Sequence, residues 1–339
     1  MPRPVPVAAA VLAALTLTAC STADGGSSPE GEEVTSTGGS ASSGTAGYPV
    51  TVDNCGTEVT VEAPPERIVT IKSTSTELVL SLGLADRLVG TAFSDGPLPE
   101  HLTDAGADVP VLAERAPSSE VVLGAEPDLV LAGWESNFSA DSAGERSELT
   151  DLGIATYVNP AACLEEAYQP DPLTFQHIFD DITEAGDLLG APEAAEALVA
   201  EQQDTLAQVQ PSTGGLTALW YSSGSDIPYV GGGIGAPQLL LETVGLTNIM
   251  ADVPETWASG SWEDIAAQNP DVIVLVDSAW NTAEHKIEVL ESSPVTSTMD
   301  AVLDQRYLVV PFPASEAGVR SVPAAVDLSD QLAELTGQS

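Results

Sequence analysis

Two glutamates occupy matched positions in the chain. Glu120 lies in SSEVVLGAEPDLVLAG and Glu263 in SGSWEDIAAQNPDVIVLVD; each follows a serine, and each is trailed by Pro-Asp seven and eight residues later and then by an apolar run. An acid in the first turn of a serine-capped helix is favoured by the helix dipole, which is reason enough for either glutamate alone. As a pair, one on each of two similar halves, they also suit a partner built on a true twofold axis. An earlier echo supports two similar halves: TELVLSLGLADRLVG against QLLLETVGLTNIM, each an apolar helix stopped at Gly83 or Gly245.

Cations are the scarcest chemistry here. Fifty-one acids face nine bases, for a formal net charge of -42. Such a field repels phosphate backbones, so a nucleic-acid partner is excluded. Lys72, Arg115 and Arg320 fall in loops expected to line a cleft, where they could hold an anionic group of a ligand; pairing with nearby acids is the alternative. The glycine-rich YVGGGIGAP adds backbone donors near a helix start. It also matches Gly-x-Gly-x-x-Ala, but only two apolar residues precede it and Pro237 follows, so a dinucleotide cofactor is not expected. Aromatic residues are only 5% of the chain, yet Trp134, Trp220, Trp257 and Trp280 fall in loops or at strand ends, as a stacking site for a flat ligand would require. Trp262, inside a helix, reads as core.

Other chemistry is poorly represented. His101, His177 and His285 each lie more than four residues from any other His or Cys, so a metal site is not expected. Gly-x-Ser-x-Gly is absent and no histidine has a credible triad setting, which disfavours a hydrolase. No resident cofactor is expected. An adhesive lipoprotein without a small-molecule ligand is a further class to be tested.

Residues 1–19 read as a signal peptide, ending in Leu17-Thr18-Ala19-Cys20, which resembles a lipobox and makes Cys20 the lipidated first mature residue. The protein is then extracytoplasmic and tethered to the outer face of the membrane. Cys55 and Cys163 remain; in an oxidising compartment a disulfide is the expectation, with two buried thiols as the alternative. Residues 20–47, rich in Ser, Gly and acid, form a tether. From residue 48 a β-hairpin with an Asn-x-Gly turn leads into alternating strands and helices to 172, a first α/β lobe. Residues 173–211 carry apolar positions spaced by three and four and form two helices split at Gly190, a helical spine; residues 212–339 resume the alternation as a second α/β lobe copying the first. Ligands of such sheets bind beyond the carboxyl ends of the strands, which selects Lys72, Phe93, Trp134, the stretch from Trp220 and Tyr221 to Ser223, Trp280 and the run from Pro313 to Arg320.

With PPERIVTI before TELVLSLGLADRLVG, the two glutamate segments and RYLVVPF near the end, the chain resembles the ABC-transporter substrate-binding lipoproteins of the cobalamin, ferric-siderophore and haem type. That resemblance implies two α/β sandwich lobes on a rigid helical spine, a ligand in the cleft between them, no enzymatic activity, and delivery by a monomer to a permease homodimer with its ATPase. It also implies that Glu120 and Glu263 dock into arginine pockets on the permease. Compared with the cobalamin-binding members, Phe93, Trp134, Tyr229, Trp257 and Arg320 fall at or near ligand-contact positions. The segments AGWESNFSADSAGER, LWYSSGSDIPYVGGGIGAPQ and VVPFPASEAGVR further resemble a subgroup proposed to carry the deazaflavin coenzyme precursor F(420)-0, against ferric siderophore, haem or cobalamin as alternatives.

Overall fold

A computed structural model describes residues 47–337. Cys20, the signal segment and most of the tether lie outside the described residues.

The described chain opens with a hairpin of β1 (Val50–Asn54) and β2 (Thr57–Val61), turned by Cys55 and Gly56, both at positive φ. The first lobe then runs β3 (Ile68–Ile71), α1 (Ser73–Ser81), β4 (Leu88–Ala92), α2 (Glu100–Gly106), β5 (Val111–Ala113), α3 (Ser119–Gly124), β6 (Leu129–Ala132), α4 (Arg146–Asp151) and β7 (Ala155–Val158). Its five strands are all parallel, in the order β5-β4-β3-β6-β7. Nearly continuous apolar strand sequences, interrupted by the buried Thr70, Thr91 and Thr156, follow from this, because helices cover both faces. Ile68, Leu129 and Leu131 pack on one side of the sheet, while Val69, Ile71, Val130 and Ala132 pack on the other.

Two helices follow, α5 (Phe175–Leu189) and α6 (Pro192–Leu206), packed against each other. Gly190 takes the left-handed conformation that ends α5, and Pro192 starts α6 without losing a helical hydrogen bond. Gly186 meets Ala195 so closely that a side chain at 186 would clash, which lets the two helices lie side by side.

The second lobe contains β8 (Thr217–Ser223), β9 (Tyr229–Gly231), α7 (Ala236–Thr243), β10 (Thr247–Asn248), β11 (Trp257–Ser259), α8 (Trp262–Gln268), β12 (Val272–Asp277), α9 (Ala283–Ser292), α10 (Asp300–Leu303), β13 (Tyr307–Pro311) and α11 (Ser321–Thr336). The order β11-β9-β8-β12-β13, with β10 on β8, repeats the first lobe only in part. Strands β8, β12 and β13 are parallel and correspond to β3, β6 and β7, whereas β9 and β11 form an antiparallel edge where the first lobe has β4 and β5. The second lobe therefore departs from the expected copy at this edge.

The glycine-rich stretch departs as well. Gly232 and Gly233 give their N–H groups to Thr256 and Val253, and a Cβ at either would meet the carbonyl oxygens of Glu255 or Ala251 at 2.0 Å. Their glycines let two backbones cross, so these donors are not held out for an anion.

The repeated motif is a folding unit in both lobes. Ser118 caps α3 by accepting from Val121 N at 3.4 Å, and Ser261 caps α8 by accepting from Asp264 N at 3.3 Å. Each helix ends near a non-glycine residue at positive φ, Glu126 (49°) or Asn269 (48°). The Asp behind each proline then clamps the start of a neighbouring strand: Asp128 accepts from the backbone of Glu66 and Arg67, Asp271 from that of Thr217. Glu120 and Glu263 are the second residues of their helices, and both are exposed.

Candidate functional site

The carboxyl ends of the parallel strands of the two sheets face each other, and the segment after β13 crosses between them. Lys72, directly after β3, has φ 80° and ψ 154°, a region occupied almost only by glycine. Holding it there costs on the order of 1–3 kcal/mol, which surrounding contacts must offset. Those contacts are visible. The fully buried Lys72 Nζ pairs with Asp95 and lies 3.4 Å from the centre of the Trp134 ring, 4.5 Å from that of Phe93 and 5.1 Å from that of Phe312. Gly133 permits this, since a Cβ there would meet the Lys72 side chain at 2.7 Å.

A second ion pair joins the lobes. The Arg320 guanidinium forks onto Glu77 of α1, Nε and Nη2 each donating at 2.5 Å, and Nη2 also donates to Pro97 O at 2.7 Å. Glu77 is 1% exposed. Burial pushes its carboxyl up from the usual range, and Arg320 opposes that rise. Nearby, Trp134 Nε1 donates to Glu316 Oε1 at 2.6 Å, and Asn159 Nδ2 donates to Ala317 O at 2.7 Å.

Beside these contacts lies a cavity of about 470 Å³ lined by Trp134, Tyr229, Trp257, Trp280, Phe312 and Glu316 together with Ser222, Ser223 and Leu164. Tyr229 and Trp257 stack with ring centres 5.9 Å apart, and Trp280 meets Phe312 edge-on at 5.8 Å. Trp280 is 62% exposed and Tyr229 42%, so apolar ring faces stand open to solvent here. Trp134, Ala162, Trp257 and Glu316 also border a deeper cavity of about 180 Å³ that reaches the first turn of α7. Lys286, wholly buried under the Trp280 loop, donates to Val276 O at 2.5 Å and Asn281 O at 2.6 Å, and burial pulls its pKa down to about 8.

Of the residues singled out in the sequence, Trp134, Tyr229, Trp257 and Trp280 line the larger cavity, and Phe93 packs edge-on behind Trp134 with ring centres 5.8 Å apart. Trp220 and Tyr221 do not belong there. Both lie inside β8 and are at most 1% exposed; Trp220 is core, and the Tyr221 hydroxyl is spent on Gly224 O at 2.9 Å. Strand β8 pairs them with Val274 and Leu275, so their rings fill the two faces of the sheet. Lys72 and Arg320 sit at the lobe junction, but as partners of Asp95 and Glu77 rather than as open cations. Arg115 is exposed after β5 and lines neither cavity. Trp262 is core, with Nε1 donating to Ser225 O at 2.7 Å.

The sequence reading missed Glu77, Asp95 and Phe312, while Glu316 falls within the selected run from Pro313 to Arg320. Glu77 did carry a signal, being the lone acid in the otherwise apolar TELVLSLG. Cys55 and Cys163 form a disulfide that fastens the hairpin turn to the loop after β7. Arg146 works beside it, donating to Asn54 O at 2.8 Å and to Thr156 Oγ1 at 3.0 Å.

Asp181 of α5 borders a small cavity of about 40 Å³ between α1, α5 and residues 317–319. Burial, then the charges of Glu184 and Asp180, push its carboxyl up to about 7. Between its ordinary value and that one the unfolded chain has released a proton that the folded chain keeps, so stability falls as pH rises through this window. Asp181→Asn is expected to leave stability nearly unchanged at pH 4 and to raise it by about 1–2 kcal/mol at pH 8, after discounting for partial exposure. Denaturant unfolding at the two pH values measures the difference.

Comparison with known proteins agrees with this geometry. Residues 68–312 match the family model described as "Periplasmic binding protein". Over 296 residues the chain is 29% identical to an uncharacterized ABC transporter substrate-binding lipoprotein, YvrC, of Bacillus subtilis, covering 84% of this chain and 86% of that one. It is 29% identical over 242 residues to a cobalamin-binding protein of Halobacterium salinarum, covering 68% of this chain and 60% of the relative. Among solved structures, a periplasmic binding protein from Veillonella parvula superposes with TM-score 0.73 at 28% identity over 84% of this chain and 97% of that one. An ABC-type Fe3+-hydroxamate transport protein from Saccharomonospora viridis superposes with TM-score 0.71 at 27% identity over 86% and 99%.

Proposed function

The chain belongs to the periplasmic binding protein family, and from that premise we propose that it captures a flat conjugated small molecule in the cleft between its lobes and delivers it to an ABC permease. It is a binding protein and not an enzyme, as its relatives are, and it acts outside the cytoplasm. The observation that carries the ligand class is the cluster of rings, Trp134, Tyr229, Trp257, Trp280 and Phe312, around one cavity of about 470 Å³. Stacking on such walls favours an extended ring system.

The deazaflavin F(420)-0 is the ligand we put first, on its flat tricycle and on the subgroup resemblance. Its phosphodiester and carboxylate would not meet Lys72 or Arg320, which are already paired. They would face the first turn of α7, which has no side-chain cap and borders the deeper cavity. Cobalamin, haem and ferric siderophores form the second reading, favoured by relatives named for cobalamin and for Fe3+-hydroxamate transport. Thermal shift of the full chain against these compounds, followed by the absorption spectrum of the complex, separates them: a deazaflavin absorbs in the violet and fluoresces, cobalamin is red and ferric complexes are brown. Failure of every compound to raise the melting temperature would count against cleft capture.

The delivery half of the reading rests on Glu120 and Glu263, exposed at equivalent positions of α3 and α8, which we assign to docking on a twofold-symmetric permease together with its ATPase. Lipid on Cys20 would hold the protein, acting as a monomer, at the membrane where that partner sits.

A further inference from the structure

We propose that Glu316 selects the ligand, its free Oε2 accepting a hydrogen bond from a ring N–H, hydroxyl or ammonium donor on a flat molecule seated against the aromatic walls. The inference rests on the cleft being the ligand site.

Five charged side chains meet at the lobe junction, Lys72 and Arg320 against Asp95, Glu77 and Glu316. Lys72 Nζ is committed to Asp95 and enclosed by three rings, and Arg320 is forked onto Glu77. Glu316 is the carboxylate left over. Its Oε1 accepts from Trp134 Nε1 at 2.6 Å, while Oε2 is shielded from solvent and has no hydrogen-bond partner. An enclosed acceptor left unpaired is destabilising, the more so when charged. Glu316 also borders both the 470 Å³ and the 180 Å³ cavities, and because Oε2 itself is covered, a turn of the carboxyl is what brings it to a donor on a molecule in either one.

The surroundings fix what that molecule presents. Trp134 and Phe312 flank Glu316 in the larger cavity and offer ring faces, which an extended flat ligand would cover. An anionic group brought to the same place would face an unpaired carboxylate and no open cation, and is rejected. The part of the ligand that reaches Glu316 is therefore a neutral or cationic edge carrying a donor, with any anionic group directed elsewhere. A raised carboxyl pKa, pushed to about 7 by burial first, with Lys72 opposing, agrees with a group that lacks a partner.

Two neutral flat probes test this, lumiflavin, with a ring N–H, and its N3-methyl derivative, which lacks it. Binding to the full chain is followed by quenching of flavin fluorescence. At pH 8 the wild type is expected to bind lumiflavin about tenfold more tightly than the methylated probe, and Glu316→Ala to bind the two equally. As pH falls through about 7 the wild-type preference shrinks, because the protonated carboxyl ceases to be a pure acceptor. Glu316→Gln removes that pH dependence. Lys72, Asp95, Glu77, Arg320 and the neighbouring His101 are retained in the variant, so its difference from wild type isolates Glu316. Should Glu316→Ala fail to fold, the pH profile of Glu316→Gln decides. Equal preference in wild type and Glu316→Ala, or an unchanged pH profile in Glu316→Gln, overturns the assignment while leaving the aromatic cleft standing. Binding of neither probe overturns both.

Discussion

Arg320→Ala is expected to cost about 3–5 kcal/mol of unfolding free energy, more than any exposed substitution in the chain. Glu77 is 1% exposed, and both of its oxygens receive the guanidinium. Removing the guanidinium leaves a buried carboxylate without its main partner; burial already raises its pKa, and without Arg320 only the weaker influence of His101 opposes the rise. The pair joins α1 to the segment after β13 across 243 residues of sequence, so its loss also loosens the lobe junction. Denaturant unfolding should show the midpoint falling. Because the desolvation of a buried pair offsets much of its attraction, Glu77→Leu combined with Arg320→Met should recover most of the loss. A single-variant loss under about 1 kcal/mol would mean that the pair behaves as a solvated surface bridge.

Changing Glu120 and Glu263 together to Ala is expected to abolish uptake in cells while leaving ligand affinity in solution within about twofold. Neither residue lines the cavities around the aromatic cluster. Each sits in the first turn of a serine-capped helix, where losing the acid costs only about 0.3–1 kcal/mol of stability. Exposed charges of this kind act on orientation and encounter with a partner, so the loss falls on delivery. Each single variant should retain part of the uptake, since one lobe can still dock. Uptake at the wild-type rate in the double variant would remove the docking role.

How far these features were legible depends on how local their chemistry is. The doubled motif was readable because cap, glutamate, turn and Pro-Asp lie within about ten residues, and the structure shows what most of it does: Ser118 and Ser261 cap, Glu126 and Asn269 turn, Asp128 and Asp271 clamp. The hairpin and the apolar parallel strands were readable for the same reason. Ion pairing was not. Lys72 finds Asp95 and Arg320 finds Glu77 only after folding, so rare bases read as ligand cations are consumed internally. Arg67, Arg87, Arg146 and Lys286 are spent likewise on backbone carbonyls. Trp220 and Tyr221 were misplaced because they lie within β8, short of its carboxyl end, so that only Ser222 and Ser223 of that stretch reach the cavity. The antiparallel edge of β9 and β11 rests on three-residue strands whose pairing no local signal encodes.

Equilibrium titration of the full chain with F(420)-0, cobalamin, haem and a ferric hydroxamate, in wild type and in Trp257→Ala, tests the central claim most directly. Trp257 borders both cavities and stacks on Tyr229. The account predicts that at least one of the four binds and that Trp257→Ala weakens it about tenfold, as loss of a stacking wall would. Binding of none of them, or binding that Trp257→Ala leaves unchanged, would contradict capture in the aromatic cleft.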